Sequence, residues 1–274
     1  MTTTLRPTEP LQYAGDGTRS RRYQVCVNSR PVGSVRLGTD PNFGASVALI
    51  HELRIDEQDR GRGRGTVAAL AAEEVARGWG CKQIELAVPG DAEAGLRLAE
   101  ALGYVTRNRR MEKLLGDTPP EMPAGSLGRP MTQAEYEVWD RHGREGFAQD
   151  WIGRGLPERE AYAKSNRDHD QLMPQGLDTQ NMWFTVLEHE GTPVGDLWLG
   201  ERGGRAFVYN VQVDAAHRGR GHGRTLMLLA EVQAVAAGVN RISLNVFSGN
   251  APAERLYESL GYETTERSLY KGLL

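Results

Sequence analysis

The 274-residue chain contains one sequence unit twice. The hexapeptides RGRGRG, at 60–65, and RGRGHG, at 218–223, lie 158 residues apart. From about residue 50 to 113, roughly a third of the positions match their counterparts at this offset without a gap, which chance does not produce. Two repeats are too few for a solenoid, so the duplication predicts two related domains in one chain.

Composition excludes several other classes of protein. Lys and Arg number 33 against 36 Asp and Glu, a net charge of −3, so no basic excess indicates nucleic-acid binding. No apolar run approaches the roughly 20 residues that span a bilayer, and the first ten residues lack the apolar segment of a secretory signal. Cys26 and Cys81 are too few for a disulfide framework or a zinc site. We therefore expect a cytoplasmic protein that holds no metal and binds neither nucleic acid nor membrane.

Both repeats show the same order of patterns, which predicts an α/β fold with a mixed sheet in each. An alternating strand pattern leads into the glycine–arginine loop, and an Ala/Leu-rich helix of period 3.6 follows. A short apolar strand, a second helix and a closing strand complete the unit. The predicted elements are 46–55, 65–78 and 83–88 in the first repeat, and 206–213, 223–237 and 241–246 in the second.

A stretch rich in Pro and Gly, 115–130, separates the repeats and predicts a linker. The predicted domains are accordingly 1–116 and 129–274, with 117–128 between them. The first domain is expected to be truncated, because only about 22 polar residues precede its first predicted strand.

The second repeat begins with two predicted helices that have no counterpart in the first. They cover 132–144 and 157–172. Thr132 and Glu135 have the spacing of a capping box, and Pro157 suits a first helical turn.

The loop Arg-x-x-Gly-x-Gly joins a strand directly to a helix in both repeats. The first N–H groups of a helix lack intrahelical partners, and the helix dipole attracts anions there. Glycines let the backbone approach a bulky anion, and arginines donate to phosphate oxygens. No Gly-Lys-Ser/Thr follows, which excludes a Walker loop, and Thr66 and Arg224 replace the third glycine of the dinucleotide fingerprint. The pattern predicts a diphosphate site at each helix N-terminus.

This loop resembles the acyl-CoA pyrophosphate loop of the GCN5-related N-acetyltransferases. Downstream, NAPAERLYESLGY at 250–262 resembles that family's second motif, N-x-x-A-x-x-L-Y-x-x-x-G-[FY]. The resemblance covers about 23–115 and 127–274, and implies two tandem family domains, each with a sheet splayed at its centre. It also implies that acetyl-CoA is the co-substrate and that an amine attacks its thioester directly, in a ternary complex, without an acyl-enzyme.

The resemblance assigns residues of the second repeat to this site. Val211 and Val213, on the strand before the loop, would pair through their backbone with the pantetheine arm. Tyr257 matches the family tyrosine that protonates, or donates a hydrogen bond to, the leaving thiolate. The other cofactor-binding positions are Arg218, Gly219, Arg220, Gly221, His222, Gly223, Arg224, Asn245, Asn250 and Ala253.

The first repeat keeps the loop but loses the second motif. Ala99 stands at the position that matches Tyr257, and Ala92 at the position that matches Asn250. We therefore predict that the first repeat is catalytically silent, while a second cofactor site in it stays open. That site would comprise Leu53, Ile55, Arg60, Gly61, Arg62, Gly63, Arg64 and Gly65.

The sequence does not identify a general base. One branch of the family has a Glu at the position of Asn245, and the strand before the loop offers only Asn210 and Gln212, which cannot accept a proton. Glu52 occupies the Asn210 position of the first repeat, where a solvated strand residue explains it as well. His217 is better explained as a phosphate neighbour. Missing carboxylates favour an amine of low pKa or a base that acts through water.

Four functions remain open at this point. The leading one is an acetyltransferase that acts on a small-molecule or peptide primary amine, as a monomer or homodimer. The others are a mycothiol-synthase-like acetyltransferase, a non-catalytic acyl-CoA sensor or scaffold, and an aminoglycoside-type resistance enzyme, which would need an acidic cleft. Acids in 147–176 would either attract a cationic amine or form the solvated face of a helix; they are Asp150, Glu158, Glu160, Asp168 and Asp170.

Overall fold

A computed structural model describes residues 3–40, 44–153 and 157–273 of the chain. The first repeat forms β1 (Thr3–Pro7), β2 (Gln12–Tyr13), β3 (Arg19–Val27), β4 (Arg30–Asp40), β5 (Gly44–Ile55), α1 (Arg64–Gly78), β6 (Gln83–Pro89), α2 (Glu93–Ala101) and β7 (Val105–Leu114).

The second repeat has the same order of elements, preceded by two helices. It forms β8 (Ser126–Pro130), α3 (Gln133–Gly153), α4 (Glu158–Leu172), β9 (Met182–His189), β10 (Thr192–Glu201), β11 (Ala206–Val213), α5 (His222–Ala236), β12 (Arg241–Phe247), α6 (Ala251–Ser259) and β13 (Glu263–Gly272).

These elements form two compact units, and each unit contains segments of both repeats. The first unit is Met1–Arg110, Val246–Ala251 and Thr264–Leu274, and the second is Met111–Asn245 and Pro252–Glu263. The predicted domain boundaries therefore follow the sequence repeats, and they stay a prediction. The compact units follow different boundaries, because each includes the closing segment of the other repeat.

In the first unit, the strands follow the order β1-β3-β4-β5-β6-β13. The antiparallel register between β6 and β13 runs from Pro89–Glu266 to Gln83–Gly272. Leu269 of β13 is buried in the same core as Ile84 of β6 and the alanines on the inner face of α1. The last strand of the second repeat thus completes the sheet and core of the first unit.

In the second unit, the order β12-β11-β10-β9-β8 places the long helix α5 against β10 and β11. β11 and β12 are parallel, and their register covers only Ala206–Val208, although β11 continues to Val213. In the first unit, β5 and β6 register only over Val47–Ile50. Both sheets are therefore splayed where the strand runs toward the glycine–arginine loop, which confirms the expected fold class.

A buried ion pair joins the long helix of each unit to the closing strand of the other repeat. Nζ of Lys271 lies 2.9 and 2.8 Å from the carboxylate oxygens of Glu73 in the first unit. Nζ of Lys113 lies 2.8 Å from both oxygens of Glu231 in the second. The two lysines are 158 residues apart, as are the two glutamates. The repeats have therefore exchanged equivalent strands.

Several expectations were wrong in detail. The polar residues before the first predicted strand are partly ordered in the sheet, because β1 pairs with β3. The predicted linker 117–128 contains the start of β8, an edge strand that tolerates its proline and pairs with β9. α3 extends to Gly153, beyond the predicted end at 144.

The capping box at the start of α3 is confirmed. The Glu135 N–H donates to Oγ1 of Thr132 at 3.3 Å, and the Thr132 N–H donates to the Glu135 carboxylate. Within the described part of the chain, no helix is long and apolar enough to span a membrane.

Candidate functional site

The glycine–arginine loop of the second repeat turns through two left-handed residues. Gly219 has φ +76° and Gly221, the N-cap of α5, has φ +87°. An added Cβ would meet no atom within 4 Å at either position, so glycine is needed for the backbone conformation and not for space. As the first residues of α5, His222 and Gly223 have N–H groups without intrahelical acceptors. The geometry suits the predicted diphosphate site.

Two of the predicted arginines are used to build the loop. Nε of Arg218 donates to the carbonyl of Val213 at 3.2 Å, which ties the loop back to the end of β11. Nη2 of Arg224 lies 2.5 Å from Oγ of Ser259 at the end of α6. Both side chains are exposed.

A β-bulge interrupts β11 just before the predicted pantetheine strand. Asn210 pairs with Trp198, but the next pair is Val208 with Leu199, so Tyr209 is the inserted residue. The first repeat has the same irregularity at His51, the residue 158 positions earlier. Beyond the bulge, Val211 and Val213 lie in the stretch that follows the end of the β12 register. Their backbone on this side has no registered strand partner in β12, and the pairing with a pantetheine arm stays a prediction.

The two loops differ in charge. In the first repeat, Asp59 is buried and accepts two hydrogen bonds from Arg30, at 2.7 and 2.9 Å, and also pairs with Arg64. The counterparts of Asp59 and Arg64 in the second repeat are His217 and His222, whose rings are 6.3 Å apart. Asp59 therefore occupies guanidinium groups of Arg30 and Arg64 that an anion could otherwise reach, and the second loop has a histidine at the same position.

His222 itself is suited to a neutral role. Burial lowers the pKa of its imidazole, and the neighbouring His189, His217 and Arg220 lower it further. Its ring lies 5.1 Å from that of His189. In the described residues, no group of histidines, cysteines or acids has the arrangement of a metal site.

Tyr257 lies on α6 and is 9% exposed. Burial raises the pKa of its phenol, so the hydroxyl keeps its proton at neutral pH. Its ring packs against Tyr262, with 6.1 Å between centroids. A buried, protonated phenol is what a proton donor to a leaving group requires.

The other predicted residues divide between the units. Asn245, exposed on β12, and Ala253 belong to the second unit together with the loop and Tyr257. Asn250 belongs to the segment Val246–Ala251 of the first unit, so the structure does not group it with them. The residues of the possible second cofactor site all lie in the first unit.

One acidic residue of this unit was missed by the sequence analysis. Asp196, on β10, accepts hydrogen bonds through Oδ1 from Nε1 of Trp139 at 2.9 Å and from Nδ2 of Asn210 at 3.0 Å. Burial and the nearby charge of Asp214 raise the pKa of its carboxyl to about 6, although the two hydrogen bonds oppose the rise. A lone acid in the apolar strand sequence PVGDLWLG was the available signal.

Trp139, one of the donors to this carboxylate, belongs to an aromatic cluster. Trp198 stacks on Tyr209 with 4.5 Å between centroids, and Trp139 meets Trp198 edge-on at 5.4 Å. Trp139 and Tyr209 are only partly buried, whereas Trp198 is 6% exposed. Trp139 comes from α3, so the extra helices of the second repeat contribute to this cluster.

The predicted acidic wall receives less support. Asp168 pairs with Lys164 and Asp170 with Arg144, each at 2.8 Å. These carboxylates already have cationic partners and lie on a helix face. Part of the segment 147–176, residues 154–156, lies outside the described residues.

Comparison with known proteins matches both repeats to one family. The model of the acetyltransferase (GNAT) family matches residues 3–104 and 147–262. A mycothiol acetyltransferase of Thermobispora bispora is 32% identical over 225 residues, which cover 77% of this chain and 71% of that protein. An uncharacterised N-acetyltransferase of Bacillus subtilis, YdgE, is 30% identical over 149 residues, 52% of this chain and 95% of its own.

Solved structures share the fold at low sequence identity. A GCN5-related N-acetyltransferase from Sphaerobacter thermophilus superposes with a TM-score of 0.60 at 18% identity, covering 92% of this chain and 80% of its own. A tandem GNAT protein from the clavulanic acid biosynthesis pathway gives a TM-score of 0.50 at 20% identity, over 96% and 85% of the two chains. These likenesses show the fold.

Proposed function

Because the chain belongs to the acetyltransferase (GNAT) family, we propose that its second repeat transfers an acetyl group from acetyl-CoA to a primary amine. The observation that carries the proposal is the splayed end of β11, followed by a loop of left-handed glycines at the start of α5, in the same unit as Tyr257. A strand edge, an anion site and a phenol are the parts that a thioester of a nucleotide diphosphate requires.

The residues of this chain fit acetyl-CoA as co-substrate. The backbone of Val211 and Val213 would hydrogen-bond the pantetheine arm, and the N–H groups from Gly219 to Arg224 would hold the diphosphate. The amine nitrogen forms a bond to the acetyl carbon while the carbon–sulfur bond breaks. Tyr257 donates its proton to the departing thiolate, which stabilises the charge that develops on sulfur.

The first repeat has no such chemistry in this proposal. Ala99 replaces the phenol and is fully buried in the core, so no proton donor reaches the corresponding position. Asp59 pairs with Arg30 and with Arg64 at the start of α1, which occupies guanidinium groups that a diphosphate would otherwise meet. We expect a single acetyl-CoA per chain, bound to the second repeat.

The acceptor is a small-molecule or peptide amine. The similarity to mycothiol acetyltransferases, at about 30% identity, favours one specific alternative, an acceptor of the mycothiol type. An acyl-CoA sensor without activity is the rival outcome of the test below.

The test follows thiol release from acetyl-CoA with a panel of amines that includes an α-amine peptide, a lysine peptide, an amino sugar and the thiol-sugar acceptor of mycothiol synthesis. We expect at least one amine to accelerate release. Tyr257→Phe should lower kcat about 10²–10³-fold with little change in the KM for acetyl-CoA. Tyr162→Phe, which removes an exposed hydroxyl of α4, is the matched control and should leave the rate unchanged.

Two results would contradict the proposal. If no amine raises thiol release above background while acetyl-CoA still binds, the sensor reading replaces the enzyme. If Tyr257→Phe is as active as Tyr162→Phe, the phenol has no part in the reaction.

A further inference from the structure

We infer that Asp196 is the general base of the second repeat, with Asn210 and Trp139 as the residues that position it. The inference rests on the proposed acetyl transfer and adds the group that removes the proton of the amine. It starts from Asn210, which stands on the strand before the loop where a carboxylate would be expected and which cannot itself accept a proton.

The side chain of Asn210 donates directly to Asp196 on the neighbouring strand. Nδ2 of Asn210 lies 3.0 Å from Oδ1 of Asp196, and Asn210 immediately precedes Val211, the first residue proposed to contact the pantetheine arm. The carboxylate missing from β11 is thus supplied from β10, one strand away. The strand register is consistent with this contact. Asp196 lies opposite Gln212, and Asn210, two residues before Gln212, has its side chain on the same face of the sheet.

The geometry leaves one oxygen of Asp196 for a substrate. Both Trp139 and Asn210 donate to Oδ1, at 2.9 and 3.0 Å, and fix the plane of the carboxylate. Oδ2 has no hydrogen-bond partner among the described residues, and Asp196 is only partly buried. A fixed carboxylate with one free oxygen beside the acyl site is the arrangement of a base.

The surroundings suit an amine. The partly exposed ring of Trp139 hydrogen-bonds the carboxylate, and Trp198 and Tyr209 extend the aromatic cluster from it. An ammonium group is attracted by a carboxylate and by aromatic faces alike. Burial raises the pKa of the Asp196 carboxyl to about 6, and the nearby charge of Asp214 adds to the rise. Asp196 is therefore ionised at neutral pH and is a stronger base than an exposed aspartate.

The first repeat lacks this arrangement. Ser34 stands opposite Arg54 in the register that pairs Asp196 with Gln212, and among the described residues no counterpart of the Trp139 helix precedes it. The carboxylate of the first repeat is instead Glu52, exposed at the Asn210 position, so that repeat has no equivalent of the Asp196–Asn210 pair.

In the proposed step, the bound ammonium group first loses one proton to solvent. The neutral amine nitrogen then bonds to the acetyl carbon, and its second proton passes to Oδ2 of Asp196. The carbon–sulfur electron pair leaves with sulfur, which takes the proton of Tyr257. Solvent then takes the proton from Asp196 and returns one to the Tyr257 oxygen. The products are the amide and free CoA, so atoms and charges balance.

The test measures the pH profile of kcat/KM for the amine that the wild type acetylates best. For the wild type, we expect activity to fall below about pH 6 as Asp196 is protonated. Asp196→Asn should lower kcat/KM about 10²–10³-fold and remove this acid limb, with acetyl-CoA affinity unchanged. Asn still accepts hydrogen bonds from Trp139 and Asn210, so the fold is kept. Asp117→Asn, an exposed acid outside the two units' cores, is the matched control.

A second variant, at Asn210, distinguishes a base whose pKa controls activity from a carboxylate that only supports the fold. Asn210→Ala removes one donor to the carboxylate, so the acid limb should move to higher pH. Activity of Asp196→Asn within threefold of the wild type, or an acid limb that Asn210→Ala leaves in place, would overturn the assignment while the acetyl transfer stands. No amine-dependent thiol release by the wild type would instead overturn the proposed function, and this inference with it.

Discussion

Tyr257 and Asp196 are both weak acids whose pKa is raised by burial, which keeps the phenol protonated and makes the carboxylate a stronger base. The phenol retains its proton at neutral pH and can give it to a thiolate. The carboxyl, with its pKa raised to about 6, is ionised at pH 7 yet binds a proton more readily than an ordinary aspartate. Two acids in one unit with different environments thus divide the roles of donor and acceptor.

The raised pKa of Asp196 also predicts a pH-dependent cost to stability. An aspartate in the unfolded chain has a pKa near 3.9, below the folded value of about 6, so folding favours the protonated form. This contribution is fully present below about pH 4 and is lost as the pH rises through 6. The free energy of unfolding of Asp196→Asn, relative to that of the wild type, should therefore rise by about 1–3 kcal/mol from pH 4 to pH 7. Urea unfolding at each pH measures this difference. A difference that does not change with pH would contradict the raised pKa.

At the scale of elements, the closing strands are the unusual feature. β13 comes from the second repeat and pairs with β6 in the first unit, while the end of β7 comes from the first repeat and belongs to the second unit. Each exchanged strand carries a lysine that pairs with a buried glutamate of the long helix, and a tyrosine ring lies about 6 Å from that lysine. The sequence identity of the two repeats hides this exchange, because each strand could close either sheet.

The Lys271–Glu73 pair predicts how strongly β13 is held. Glu73 is 1% exposed, and Lys271→Met leaves this buried carboxylate with only the longer ion pair to Arg77, at 3.8 Å, so the free energy of unfolding should fall by about 1–3 kcal/mol. Glu73→Leu combined with Lys271→Met should restore most of the loss, since no charge is then buried alone. Lys82→Met, at an exposed lysine, is the control and should change stability little. Urea unfolding at pH 7 measures all three; equal losses in the single and double variants would count against the pair.

Parts of this account are predictable from the sequence and parts are not. The strand 206–213 and the loop after it were predictable because alternation and glycine are local signals. β8 was not, because an edge strand that contains Gly and Pro has the composition of a linker. The setting of Asp196 was not either, because Trp139 is 57 residues away in the chain and only the fold brings it to the carboxylate.

At the scale of the whole molecule, the duplication and the compact units do not coincide. The first unit needs Thr264–Leu274, and the second needs residues that begin at Met111. A cut in the sequence between the repeats therefore leaves each half without a strand on which its core relies.

This predicts the behaviour of a chain divided between Asp117 and Thr118. The halves 1–117 and 118–274, expressed together, should form one complex, because each compact unit draws on both. Expressed alone, 1–117 lacks the strand that buries Leu269 against Ile84 and should show no cooperative unfolding transition. Size-exclusion chromatography and thermal unfolding measure both. A separately expressed half that is monomeric and unfolds cooperatively would refute the reliance on the exchanged strand.

The central claim, that acetyl transfer belongs to the second repeat, is tested most directly by the same substitution in each loop. Gly63 and Gly221 are equivalent N-cap residues with φ +71° and +87°, and glutamate at either position adds backbone strain and a negative charge at a helix start. Amine-dependent thiol release from acetyl-CoA should be lost in Gly221→Glu and should match the wild type in Gly63→Glu. Loss in Gly63→Glu with activity kept in Gly221→Glu would contradict the account.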